Sequence, residues 1–186
     1  MARSGPQRTP LPLSAKQLEE LALRYVARFA TSRAKLRAYL SRKVRERGWS
    51  GATEPDLDAL AERICALGYV DDAAYALAKA QALAGRGYGK RRLNQKLQVD
   101  GIAEEDAAAA LDHADSEAVE SALRFARRRR LGPFGAGSSD PRQREKAIAA
   151  MIRAGHPFGL ARSIAALAPG TEIDVDALRE QAPRNS

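Results

Sequence analysis

Three glycines, Gly48, Gly101 and Gly155, recur at separations of 53 and 54 residues. At eight and four residues before each stands an apolar pair: Leu40 and Val44, Leu93 and Leu97, Ala147 and Met151. A repeat of this period constrains the fold more tightly than any single motif. A unit of that length holds about three short helices, buries too little surface alone, and has to stack on its neighbours. The spacing therefore predicts an all-α chain of three tandem three-helix units. Their expected bounds are residues 14–70, 71–114 and 115–167. A Pro- and Arg-rich arm precedes them (1–13), expected to be disordered, and a flexible tail follows (168–186), within which 174–181 is at most a marginal helix.

Helical periodicity fills in the units. Leu18, Leu21, Ala22, Tyr25, Val26 and Phe29 form one apolar face, and Leu57, Leu60, Ala61, Ile64 and Leu67 another. Ser14 and Ser116 are candidate N-caps. Glu54-Pro55-Asp56 and Asp140-Pro141 read as helix starts with proline in the first turn. Cys65 stands alone, so no internal disulfide is available and a reducing compartment fits. The first thirteen residues lack the apolar core of a secretion signal, and no run approaches the ~20 apolar residues of a membrane span. A cytoplasmic protein with no membrane contact is expected.

The most informative stretch is 67–97, LGYVDDAAYALAKAQALAGRGYGKRRLNQKL. Gly68 suits the left-handed residue that closes a helix. Asp71 or Asp72 then supplies a carboxylate to the next helix N-terminus. An Ala-rich helix with Tyr75 follows, broken at Gly87-Tyr88-Gly89 and restarted by the basic cluster Lys90-Arg91-Arg92 and Lys96. The ordered set is a Gly68-Tyr69-Val70-Asp71-Asp72 turn, Tyr75, Gly-Tyr-Gly, a basic cluster, then Gly101-Ile102. It resembles the central signature of the RecX family, bacterial regulators of the RecA recombinase. The likeness runs from about Lys16 to about Leu167. It implies an elongated, curved array of three units that binds the RecA filament and restrains recombinase, ATPase and coprotease activity, acting as a monomer without a cofactor. The loop at 131–139 and Ala147, where the other copies have Leu, depart from the pattern.

Charge follows the repeat. Lys plus Arg number 31 against 23 acids, a formal charge of +8, which points to a polyanionic partner: DNA, RNA or an acidic protein surface. With the family resemblance, the expected partners are the RecA filament and single-stranded DNA, with double-stranded DNA as a further candidate. Nine basic residues and one acid lie between Arg24 and Arg47, and five basic residues and no acid between Arg86 and Lys96. From Asp100 to Glu120 the pattern inverts to eight acids without Lys or Arg. Binding candidates are therefore Arg33, Lys35, Arg37, Arg42 and Lys43 on the second helix, and Lys90, Arg91, Arg92 and Lys96 on the fifth. Arg127, Arg128, Arg129 and Arg130 end the seventh, and Tyr88 is a stacking candidate. Guanidinium groups pair equally well with phosphates and carboxylates, so DNA and protein contacts stay open at this level. A helical DNA-binding repressor unrelated to RecA is the alternative, and it would have to prefer one base sequence.

Catalytic constellations are absent from the sequence. His113 and His156 fall in different units with no ligand-spaced partner. The Gly-rich run 85–90 fails as a phosphate loop, since Arg91 stands where Ser or Thr is needed, and fails as a dinucleotide fingerprint at Lys90. Neither an enzyme nor a metal protein is expected.

Overall fold

A computed structural model describes residues 11–136 and 140–181. Among them are ten α-helices: α1 (Ala15–Val26), α2 (Arg33–Arg47), α3 (Leu57–Ala66), α4 (Asp72–Gly85), α5 (Lys90–Val99), α6 (Glu104–Ser116), α7 (Ala118–Arg129), α8 (Pro141–Arg153), α9 (Phe158–Ala166) and α10 (Val175–Gln181). A single 3₁₀ turn spans Gly132–Phe134, and the sole β feature among the described residues is an isolated bridge between Leu13 and Trp49. The fold is all-α. It divides between Asp71 and Asp72 into two compact units.

The first unit holds α1 to α3. Ser14 caps α1 in a reciprocal box with Gln17, and Ser32 caps α2. Leu18, Leu36, Leu40 and Ile64 are buried to 2% exposure or less at its centre. Leu13 is also fully buried, its N–H donating to the Gly48 carbonyl at 2.9 Å. The expected arm is thus anchored at its end, while residues 1–10 lie outside the described range. Phe29 and Leu67, expected on apolar faces, are exposed. In each case the helix ends early: Ala27 caps α1 and Leu67 itself caps α3, so both side chains leave the buried stripe. Pro55 likewise precedes the helix, because Asp56 is the N-cap of α3.

The second unit contains two three-helix sets with adjoining cores. In α4 to α6 the core is Ala76, Ala80, Leu93, Leu97, Ala107 and Ala110, and the alanines let α4 lie close along α6. Tyr75 donates its hydroxyl to buried Asp100 at 2.9 Å, and Lys96 pairs with the same carboxylate at 2.8 Å. The signature tyrosine thereby ties the start of α4 to the turn at Gly101. Val119, Phe125, Met151, Leu160 and Ile164 fill the core of α7 to α9. Ser116 does not cap α7. The backbone passes from α6 to α7 through Glu117 alone, Ser116 stays helical, and its hydroxyl donates back to the His113 carbonyl. The chain beyond residue 167, expected as a flexible tail, carries α10, whose buried Leu178 joins the α7–α9 core.

All three repeat glycines have positive φ: 81° at Gly48, 71° at Gly101 and 97° at Gly155. Gly155 carries a second duty. A Cβ there would meet the Arg92 nitrogen at 2.5 Å and the Gly89 carbonyl oxygen at 2.8 Å. A Cβ on Gly89 would meet the Gly155 oxygen at 2.4 Å, and one on Gly87 the Phe125 nitrogen at 2.7 Å. The Gly-Tyr-Gly break is therefore a backbone-to-backbone joint between the two three-helix sets. The Gly89 N–H donates to the Ala154 carbonyl at 3.0 Å and the Arg91 N–H to the Gly155 carbonyl at 3.3 Å. Free donors at the α5 N-terminus thus meet free acceptors at the α8 C-terminus, and the opposed helix ends attract.

Gly155→Ala combines left-handed strain with a clash against backbone, so it should cost about 3 kcal/mol or more. Gly170→Ala shares the positive φ, at 74°, with nothing near the new Cβ. It should cost only about 1 kcal/mol. Urea unfolding of the two variants checks the order.

Candidate functional site

The basic residues of α2 lie in the first unit. Arg33 and Arg37 are exposed and Lys35 is half-buried, in the opening turns of α2. Arg37 pairs with Asp58 at 2.5 Å, and Glu46 takes Lys43 at 2.7 Å and Arg42 at 3.6 Å. The Lys43 hydrogen bond and the charges of Lys43, Arg42 and Arg45 hold the Glu46 carboxyl below its usual range. Arg42 and Lys43 also flank the Tyr39 ring, at 5.6 and 5.9 Å from its centroid. Ion pairs this exposed contribute little and exchange readily for an external anion.

On α5 the basic cluster splits. Consecutive helical residues step about 100° apart, so three neighbours cannot share one face. Lys90 pairs with Asp115. With Arg91 it lines a cleft of about 600 Å³ that also includes Val119, Ile152, exposed Phe158 and Arg179. Arg92 turns the other way, into a groove of about 530 Å³ between α5, α7 and α8. Around that groove stand Arg92, Arg128, Arg129 and Arg153, with Tyr88 and Phe125. No carboxylate of the described residues lines it, and none pairs with these four arginines. A second groove of about 560 Å³ shares Tyr88 and Arg92 with the first and continues past Arg86, Lys79 and Lys96.

The four consecutive arginines ending α7 fan out as helix geometry requires. Arg127 lies over the Phe134 ring at 4.8 Å. Arg128 stands 5.7 Å from both Tyr88 and Phe125 and donates to the Arg86 carbonyl. Arg129 approaches Phe125 at 6.0 Å, and Arg130 takes the left-handed C-cap at φ 54°. Of the four, only Arg128 and Arg129 enter the groove. Sequence reasoning missed Arg153, Arg86 and Lys79 as partners of Arg92. Nothing linear links Arg92 with Arg153; they meet because Gly89 and Gly155 touch.

His156 locks the joint. It is 3% exposed, and its Nε2 donates to the Gly87 carbonyl at 3.0 Å, which puts the ring proton on that nitrogen. Burial pushes it down to about 4, against the Gly87 bond, which acts the other way. Its role is structural. Among the described residues no group of three or more His, Cys, Asp or Glu could hold a metal, and no helix is long and apolar enough to cross a membrane.

Known proteins resemble this chain in sequence and in fold. The RecX second three-helix domain matches residues 71–111. The regulatory protein RecX of Myxococcus xanthus is 33% identical over 168 residues, covering 86% of this chain and 89% of that protein. The RecX of Agrobacterium fabrum is 31% identical over 144 residues, covering 75% of this chain and 77% of that one. The crystal structure of RecX from Lactobacillus salivarius superposes with a TM-score of 0.59 at 17% identity, over 80% of this chain and 92% of that one.

A buried neutral histidine makes stability depend on pH in a defined direction. The unfolded chain binds a proton on His156 near pH 6.5, the folded chain only near 4. Its contribution is therefore complete above about pH 6.5 and is lost as pH falls toward about 4, by up to about 3 kcal/mol. His156→Gln should flatten the stability loss between about pH 7 and about pH 4.5 relative to wild type, read by urea unfolding at each pH.

Proposed function

The chain belongs to the RecX family, and on that premise we propose that it binds RecA and its nucleoprotein filament and restrains recombinase, ATPase and coprotease activity. It does so by occupancy, not by a reaction of its own. ATP is hydrolysed by RecA, and this protein obstructs strand entry or filament extension. A monomer in the cytoplasm, acting in homologous recombination, DNA repair and the SOS response, fits the reading.

Similarity to the regulatory protein RecX of Myxococcus xanthus, 33% identical and covered over 89% of its length, is the observation that carries this assignment. A +8 chain whose basic grooves lack carboxylates among the described residues supports it, because a filament of recombinase on DNA is a dense polyanion. The binding candidates on α2, α5 and α7 then divide between RecA carboxylates and DNA phosphates.

RecA-dependent ATP hydrolysis on single-stranded DNA tests the proposal. Substoichiometric addition of this protein should lower the steady rate, since one bound molecule affects many filament subunits. An unchanged rate at stoichiometric excess contradicts it.

A further inference from the structure

The cleft of about 600 Å³ beside Lys90 and Arg91 has a different character from the arginine groove. Two of its three cations are already neutralised. Lys90 pairs with Asp115 at 2.5 Å, and Arg179 pairs with Glu120 at 2.5 Å and Asp176 at 3.0 Å. Arg91 is exposed and pairs with no carboxylate among the described residues, so a single positive charge is left over. Pro157 and Phe158, at the start of α9, also line the cleft. That helix has no side-chain cap and no acid in its first turn. The N–H groups of Phe158, Gly159 and Leu160 have no acceptor among the described residues. A helix start of this kind favours an anion, and Arg91 reinforces the preference.

A second unused polar group belongs to the same cleft. His156 lines it, is 3% exposed, and commits its Nε2 to the Gly87 carbonyl. Its Nδ1 is then a bare acceptor, to which none of the described residues donates. A buried acceptor left unbonded costs free energy that an N–H from outside recovers. Val119, Ile152 and Phe158 supply apolar lining, and Phe158 is 58% exposed although it is a large apolar side chain.

We propose that this cleft receives the C-terminal end of a partner polypeptide whose last side chain is apolar. One residue at a chain end offers all three complements together. Its carboxylate meets Arg91 and the N–H groups opening α9, its amide N–H donates to His156 Nδ1, and its side chain covers Val119, Ile152 and Phe158. A nucleic-acid strand fits less well, because its successive phosphates would meet one free cation and apolar side chains. An aspartate or glutamate inside a chain brings the charge without an apolar side chain on the same residue. The proposal goes beyond the filament-regulator reading and does not rest on it.

The test is a chemical-shift titration of the isotope-labelled full chain with acetyl-Ala-Ala-Phe bearing a free carboxylate. Amides of Arg91, Val119, Phe158 and Gly159 and the His156 ring nitrogens should shift. Amidation of the peptide end should weaken binding by about tenfold or more, the worth of one charge-assisted contact. Arg91→Ala should abolish that preference for the free acid, and Phe158→Ala should weaken binding several-fold. Both side chains are exposed, so neither change should disturb the fold. Arg24→Ala removes the same charge from a residue paired with Glu20 in the first unit, and should bind the peptide as wild type does. Absence of shifts at millimolar peptide, or equal affinity for acid and amide, overturns the proposal. So does hydrocinnamate binding as tightly as the peptide, since a small carboxylate then suffices without a chain end. Oligo-dT shifting the same amides more strongly than the peptide overturns it in favour of a nucleic-acid contact. None of these outcomes bears on RecA-dependent ATP hydrolysis, which tests the filament-regulator reading separately.

Discussion

The contact between Gly89 and Gly155 organises the second compact unit. Two backbones approach so closely there that neither position has room for a β-carbon. That approach lets the N–H groups opening α5 meet the carbonyls closing α8, satisfying donors and acceptors that helix ends otherwise leave to water. It also shuts His156 away from solvent, against the Gly87 carbonyl. Without the joint, Arg92 and Arg153 belong to separate helical sets and no shared groove exists.

Electrostatics and packing work in opposite directions at this place, and packing decides the geometry. Basic side chains open α5, contrary to the preference of a helix N-terminus. The carbonyl-rich end of α8 sits against them and offsets part of that cost, and Asp115 removes another part at Lys90. The remaining charge stays on the groove side with Tyr88. Aromatic rings hold the arginines in place there: Phe125 and Tyr88 beneath Arg128, Phe125 beside Arg129. A surface arranged this way is ready for a polyanion before one arrives, which lowers the ordering cost of binding.

Much of this was legible in the sequence, and the reasons are local. The repeat glycines announced the three sets because a positive-φ turn after a buried apolar pair leaves a periodic trace, visible as Leu93, Leu97 and Gly101. Tyr75 and Asp71-Asp72 carried the family resemblance, although the Tyr75–Asp100 bond explaining the tyrosine has no local signal. Helix ends were less readable. Phe29 and Leu67 continue the apolar period past the point where the helix stops, and Ser116 has the chemistry of a cap but the backbone of a helix interior. The site was half legible: basic helices were evident, whereas the partition of Lys90 and Arg91 from Arg92, and the entry of Arg153, depend on a contact between distant glycines.

Amide hydrogen exchange at Gly89 and Arg91 tests the joint most directly. Both N–H groups lie at a helix start, where donors with only solvent as partner exchange rapidly. Bonded to the Ala154 and Gly155 carbonyls, they should be protected as strongly as the Leu93 and Leu97 amides within α5 and open only when the unit unfolds. Exchange at free-peptide rates while Leu93 and Leu97 stay protected contradicts the account, for it means that α5 and α8 do not abut and that the arginine groove does not form.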